Sequence, residues 1–349
     1  MFKVKRNPQK FEPFDLFSTL VEELGYNIND IDVVEKVTEI FSNSVKDAKS
    51  KDIMLHGARN EGLFSYIVRG MNSVKFIKKE DAGDAYASTT EAIQIPDYRI
   101  ILEDGSLIFV EVKNWNKDYD KNFNLDVKYV ERLENYCSLN KGKLFIAVYY
   151  RCINRWVMLQ SNKFIKENKR FKISLENALI NSEFSRLGDL SFALYSPLEI
   201  YFEFGESTTI DKIEGNIYTY KGKINNIIIK SGDKEIKDNV GKNIVFNLAH
   251  YGEWEENYEY IFEKDQLIGL KLTFRPEDGF SDNEIELGFR IIAQYSVMLT
   301  CFFAQETIKE NQIIKLLYSG KPRNVTSFIP HDYNNPDLPI ATIKMVTLD

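Results

Sequence analysis

Asp97, Glu111 and Lys113 lie in IPDYRIILEDGSLIFVEVKNWN, residues 95–116, a stretch otherwise rich in Ile, Leu, Val and Phe. A strand of that composition belongs at the centre of a sheet, where an unpaired ion is costly to desolvate. Either the three side chains sit at a sheet edge in water, or they converge on something that compensates them. Two carboxylates held side by side repel, so convergence describes a site that favours a cation.

The register decides between these outcomes. Apolar segments 98–102 and 106–112 flank Glu103-Asp104-Gly105. A three-residue hairpin loop commonly ends in a left-handed residue, a conformation glycine takes without steric cost. With 103–105 as the loop, Leu102 faces Ser106 and Asp97 falls opposite Glu111. Alternation then puts Asp97, Glu111 and Lys113 on one face. A two-residue loop at Asp104-Gly105 instead pairs Asp97 with Val112 and splits the charges between faces.

The elements around the hairpin follow from periodicity. Helical spacing predicts helices over 14–26, 29–47 and about 57–71, with Asn29 or Asp30 capping the second. Residues 73–78, 143–150 and 155–161 read as strands, and 123–137 as a helix. The order α-β-β-β-α-β-β predicts a mixed sheet with helices on its faces. Beyond residue 200, IYTYKGK, NIIIKSG, KNIVFNL, YEYIFEK and LIGLKLTF read as β-like. A helix over 282–308 is opened by Ser281-Asp282, with Glu284 and Glu286 in its first turn. It is apolar around much of its circumference, as a core helix or a subunit interface would be. Three parts are expected: a helical segment 1–50 packed on a core of 51–200, and an α+β region 201–349.

Composition bounds the function. The 349 residues are 44% hydrophobic and 28% charged, enough for two domains. Cys137, Cys152 and Cys301 are scattered, as are three histidines, which argues against a histidine-based zinc site and fits a reduced, cytoplasmic protein. No apolar segment follows the basic MFKVKRNPQKF, and the run 291–304 is too short to span a bilayer, so neither a secretory signal nor a membrane span is expected. Residues 1–200 carry 29 basic and 29 acidic side chains, so the whole net charge of −7 lies beyond residue 200. A polyanion would therefore meet the first part of the chain.

A strand ending in Pro96-Asp97, a turn, and a strand ending in Glu111-Val112-Lys113 resembles the PD-(D/E)XK, or restriction-endonuclease-like, nuclease superfamily over about residues 51–160. Glu235-Ile236-Lys237 repeats the triplet without the Pro-Asp or a strong apolar strand. The resemblance implies an α/β fold, a restriction-endonuclease-like mixed sheet flanked by helices, with 201–349 as a second α+β accessory domain. It also implies a phosphodiesterase dependent on Mg²⁺ or Mn²⁺, ions that take hard oxygen ligands. Asp97 and Glu111 would be ligands, with the Val112 carbonyl as a third, and Lys113 would steady the attacking water or the developing charge. Glu61 lies on the apolar stripe of Phe64, Ile67, Val68 and Met71. It matches the acidic residue that members often place on the preceding helix, as a further metal or water-bridged ligand.

Other features carry two readings each. Lys128 and Arg132 fall opposite the buried face Val127, Val130, Leu133 and Cys137, either on a solvated face or against phosphates. Exonuclease-type members carry Gln-x-x-x-Tyr on this helix; here Arg132 and Tyr136 have that spacing without the Gln. Trp115 either stacks on a base or caps the sheet core. KFIKENKRFK, residues 163–172, either tracks a phosphate backbone or is a solvated linker. The resulting expectation is a metal-dependent nuclease, a DNA rather than RNA endonuclease of restriction or anti-phage defence, with 201–349 binding a partner protein or a second copy. The alternative is a catalytically silent, partner-dependent nucleic-acid-binding subunit with a nuclease-like fold.

Overall fold

The computed structural model describes residues 12–80, 86–205, 209–214, 217–264, 266–276, 288–330 and 332–345; for 209–214, 217–220, 276, 288 and 289 it describes the backbone alone. Three helices open it: α1 (Glu12–Glu23), α2 (Val33–Ser50) and α3 (Asp52–Gly70). Strands β1 (Val74–Lys79), β2 (Tyr98–Leu102) and β3 (Leu107–Trp115) follow. Next come a short strand β4 (Phe123–Asp126), helix α4 (Val127–Leu139), β5 (Lys143–Tyr150) and β6 (Arg155–Leu159). The sheet order is β1-β2-β3-β5-β6, antiparallel except for the β3–β5 pair. The parallel pair needs a crossover, and α4 supplies it. A mixed α/β architecture is thus in place, with the element order expected from periodicity.

Strands β3, β5 and β6 are buried on both sides while β1 is an exposed edge, and alternation sorts the buried side chains into two cores. Ile108, Val110 and Val112 of β3 join Phe64, Ile67 and Val68 of α3 in one. Phe109 and Trp115 join Val130, Leu133 and Cys137 of α4 in the other. Glu111 and Lys113, in phase with Phe109 and Trp115, therefore project toward the α4 layer.

Several boundaries differ from expectation: α2 begins at Val33 with Asp32 at its cap position rather than Asn29 or Asp30, and α3 begins at Asp52 rather than near 57. The helix expected from 123 begins at Val127, because Asp126 caps it by accepting a 3.2 Å hydrogen bond from the Tyr129 N–H. Residues 123–126 instead pair with β8 (Arg170–Ile173), whose hairpin partner is β7 (Ile165–Glu167). The basic run 163–172 is thus a β-hairpin on the α4 side, not a linker. A short helix α5 (Leu175–Ile180) follows.

The second half is threaded into the first. Strand β9 (Ser191–Ser196) leads into β10 (Leu198–Phe204), then β11 (Thr209–Glu214), β12 (Ile217–Lys221), β13 (Ile224–Ser231) and β14 (Lys234–Glu235). Residues 242–248, read as β-like, lie in helix α6 (Asn239–Tyr251): Asp238 caps it, and Ile244, Val245 and Leu248 share its buried face. After β15 (Trp254–Glu263) and β16 (Gln266–Pro276), strand β17 (Gly288–Gln294) pairs with β9. Helix α7 (Tyr295–Thr307) therefore begins at 295, not 282; the expected cap and first turn at 281–286 lie outside the described residues. Strands β18 (Ile308–Lys309), β19 (Gln312–Ile313) and β20 (Ile340–Ile343) close the fold, β20 pairing with β9. One sheet has the order β14-β13-β10-β16-β15.

Helix α7 is buried around its circumference from Tyr295 to Phe303, as a core helix would be, and only Gln305 and Glu306 of its last turn are exposed. It lies against α3: the Tyr66 and Phe303 rings are 5.5 Å apart, Arg59 Nε donates to Thr307 Oγ1 at 3.2 Å, and the Tyr295 hydroxyl donates to the Gly70 carbonyl at 2.8 Å. No helix among the described residues is long and apolar enough to cross a membrane.

Candidate active site

Tyr98 stands opposite Val110 and Ile101 opposite Leu107, the Leu102 N–H donates to the Ser106 carbonyl at 3.0 Å, and Gly105 has φ +85°. This is the three-residue-loop register, and carried one residue past the ladder it sets Asp97 across from Glu111. Asp97 is pinned from two sides. Its carbonyl accepts from the Glu80 N–H at 2.8 Å, and its Oδ2 accepts from the Val112 N–H at 2.7 Å. In an extended strand the N–H and C=O of one residue point the same way, so the Val112 carbonyl also faces the β2 side.

Glu111 is 4% exposed, and its charge is compensated from its own face. Oε1 accepts from Lys113 Nζ at 2.5 Å and, through a short contact, from the Tyr129 hydroxyl. Lys113 Nζ reaches the same hydroxyl at 3.1 Å and lies 5.0 Å from the Tyr129 ring centroid. Buried Asn60 donates from Nδ2 to the Lys113 carbonyl at 3.4 Å. Glu61 approaches from the α3 side of the sheet. Its Oε2 meets Lys79 Nζ at 2.7 Å, and its carbonyl accepts from the Tyr98 hydroxyl at 3.0 Å.

The electrostatics follow from this crowding. Burial, then the charge of Glu111 and a smaller effect of Glu61, push the Asp97 carboxyl up to about 7, against the pull of the Val112 N–H and Lys113. Burial discourages the charge on Lys113, but Glu111 and Tyr129 outweigh it and hold the ammonium above its ordinary range. Burial and the neighbouring Glu111 raise the Tyr129 hydroxyl to about 12. At neutral pH Lys113 is thus a fixed positive charge, and Asp97 is poised to exchange a proton for another cation.

Sequence reasoning missed Tyr129. It depended on where α4 starts: with Asp126 as the cap, Tyr129 falls in the first turn, facing the β3 carboxylate. Trp115 is buried in the α4-side core, edge-on to Phe123 at 5.4 Å, with Lys117 Nζ 5.1 Å from its ring centroid. Lys128 is exposed and Arg132 half-buried, its guanidinium 5.9 Å from the Tyr129 ring centroid. Tyr136 donates to Glu80 Oε1 at 2.9 Å rather than turning toward Glu111.

The donor set fits a hard divalent ion in part. Mg²⁺ is commonly held by one or two carboxylates and keeps several waters, which Asp97, Glu111 and the Val112 carbonyl satisfy. Among the described residues, no three His, Cys, Asp or Glu side chains group closely enough to form a cage of their own.

No protein-family model matches the chain, and no curated protein does. Among solved structures, it is similar to Hjc, a Holliday junction resolvase from the archaeal hyperthermophile Archaeoglobus fulgidus, at 16% identity over 38% of this chain and 94% of that one. The TM-score is 0.29, a likeness too slight to fix fold or function.

Proposed function

We propose that the protein is a divalent-metal-dependent nuclease that hydrolyses phosphodiester bonds within DNA. The reading rests on one observation: Asp97 and Glu111 stand across from each other at the end of the β2–β3 ladder, with Lys113 beside Glu111 on the same face. Asp97, Glu111 and the Val112 carbonyl would hold Mg²⁺ or Mn²⁺, with Glu61 reaching the ion if it leaves Lys79. The bound ion would polarise the phosphate oxygens and acidify a water. Lys113, permanently charged, neutralises charge growing on the phosphate rather than accepting a proton. Tyr129 holds Glu111 and Lys113 in register, and Asn60 anchors the β3 backbone beneath them. Lys128 and Arg132 are the phosphate contacts we assign to the outer face of α4. Restriction or anti-phage defence in the cytoplasm is the setting we attach to such an enzyme, by analogy with the nuclease superfamily that Pro96-Asp97 and Glu111-Val112-Lys113 resemble.

A second reading has its own observation. Glu111 is already paired with Lys113 and Glu61 with Lys79, so the same residues suit a nucleic-acid-binding subunit that cuts only with a partner, or not at all. Incubation with Mg²⁺ or Mn²⁺ and single-stranded DNA, duplex DNA or RNA separates the two. Cleavage that disappears in Asp97→Ala and Lys113→Ala supports the nuclease; cleavage indifferent to both removes the site. Mn²⁺ binding by calorimetry, weakened in Glu111→Ala and without cleavage, favours the subunit reading.

A further inference from the structure

Helix α2 carries two adjacent apolar seams, of which the described residues bury one. Val33 and Val37 are buried with Val21 of α1, with Phe17, Leu20 and Tyr26 packed around them. One residue further round, Val34, Thr38, Phe41, Val45 and Ala48 recur at spacings of four and three, the heptad spacing of a helix–helix seam. Val34, Phe41 and Val45 on this seam are 57%, 48% and 47% exposed. Beside it a groove of about 510 Å³ runs between α1 and α2, lined by apolar Leu16, Leu20, Val37 and Phe41. An apolar strip next to an apolar furrow marks an interaction surface.

We propose that a second copy of this chain covers it, the two α1–α2 hairpins packing antiparallel as a four-helix bundle. Charge selects both the occupant and the direction. The start of α2 and its cap hold Asp32, Glu35 and Glu39 against Lys36, whereas its end and the residue after it hold Lys46, Lys49 and Lys51 against Asp47. Within the helix Lys36 pairs with Asp32 at 2.8 Å and Lys51 with Asp47 at 2.6 Å. That leaves two acids, Glu35 and Glu39, at one end and two bases, Lys46 and Lys49, at the other, none with an ion-pair partner among the described residues.

An antiparallel copy lays each acidic start over the other's basic end and opposes the helix dipoles. A parallel copy would stack like on like. A twofold axis makes the same surface serve both chains, each seam entering the other's groove.

Sedimentation velocity on the full chain tests this. The expected result is a species of twice the chain mass, which Phe41→Glu and, separately, Val45→Glu convert to monomer. Both residues are about half exposed, so each monomeric variant should keep the helical far-ultraviolet circular-dichroism spectrum of the wild type, while its melt loses the concentration dependence that a dimer shows. Glu35→Lys should weaken the dimer by roughly tenfold or more, and adding Lys49→Glu should restore it. A wild-type monomer at every concentration overturns the proposal, as does a dimer indifferent to Phe41→Glu and Val45→Glu. A dimer seen only after removal of residues 1–11 overturns it too, since the chain's own start would then fill the groove.

Discussion

The main-chain N–H of Val112 donates a 2.7 Å hydrogen bond to the carboxylate of Asp97. It extends the β2–β3 pairing past the last ladder rung by using a side chain in place of a strand. It also holds an acid beside Glu111 that burial and charge would otherwise drive away.

That crowding makes the metal-free protein sensitive to pH. Asp97 is pushed up to about 7, against about 3.9 for an unfolded chain. A raised carboxyl binds its proton more tightly when folded, so its contribution is fully present below about pH 4 and is lost as pH climbs through about 7. In EDTA the melting temperature should fall across that window. Asp97→Asn, which still offers an acceptor to Val112, should flatten the fall and gain on the order of a few kcal/mol at pH 8. Identical slopes for the two proteins would count against the crowding.

Metal should relieve the same repulsion. Mn²⁺ at pH 8 is expected to raise the melting temperature of the wild type, and to do so much less at pH 5, where the proton competes for Asp97. Glu111→Ala should abolish most of the rise. Equal rises in the variant would place the ion elsewhere.

Tyr129→Phe keeps the ring and removes the hydroxyl shared by Glu111 and Lys113. The buried carboxylate then loses a donor, at a cost of about 1–3 kcal/mol in urea unfolding. An unchanged denaturation midpoint would show that the hydroxyl is dispensable.

Asp189 tests the junction between the halves. It is 3% exposed and accepts hydrogen bonds from the Ser296 N–H at 2.8 Å, Ser296 Oγ at 2.7 Å, Gln294 Nε2 at 2.6 Å and the Leu190 N–H at 3.1 Å. Asp189→Ala strands those neutral donors and should cost about 1–3 kcal/mol for a buried donor left without a partner. A loss below about 1 kcal/mol, the scale of one ordinary hydrogen bond, would mean that water replaces the carboxylate.

Local chemistry made the hairpin legible. Glu103-Asp104-Gly105 dictates loop length, loop length dictates register, and register brings Asp97 across from Glu111. Period also revealed α3 and β5, whose apolar residues face a single answer. Elsewhere, composition misled. KNIVFNL has strand-like residues, but Asp238 and the spacing of Ile244 and Leu248 make it helical, and an apolar run buried all round cannot show where β17 ends and α7 begins. Tyr129 stayed hidden because its position depends on a cap three residues inside the expected helix. The partners of Glu61 and Asn60 come from other strands, and no local pattern encodes them.

Helix α7 supplies a last consequence. It is drawn from the far end of the chain, yet it is the buttress on which α3, the bearer of Asn60 and Glu61, leans. Cutting at residue 200 would leave that buttress behind. Anyone transplanting the hairpin and its carboxylates into another protein must carry residues 288–307 along with them, and a lineage that exchanged the terminal region by recombination would have to replace the support at the same stroke.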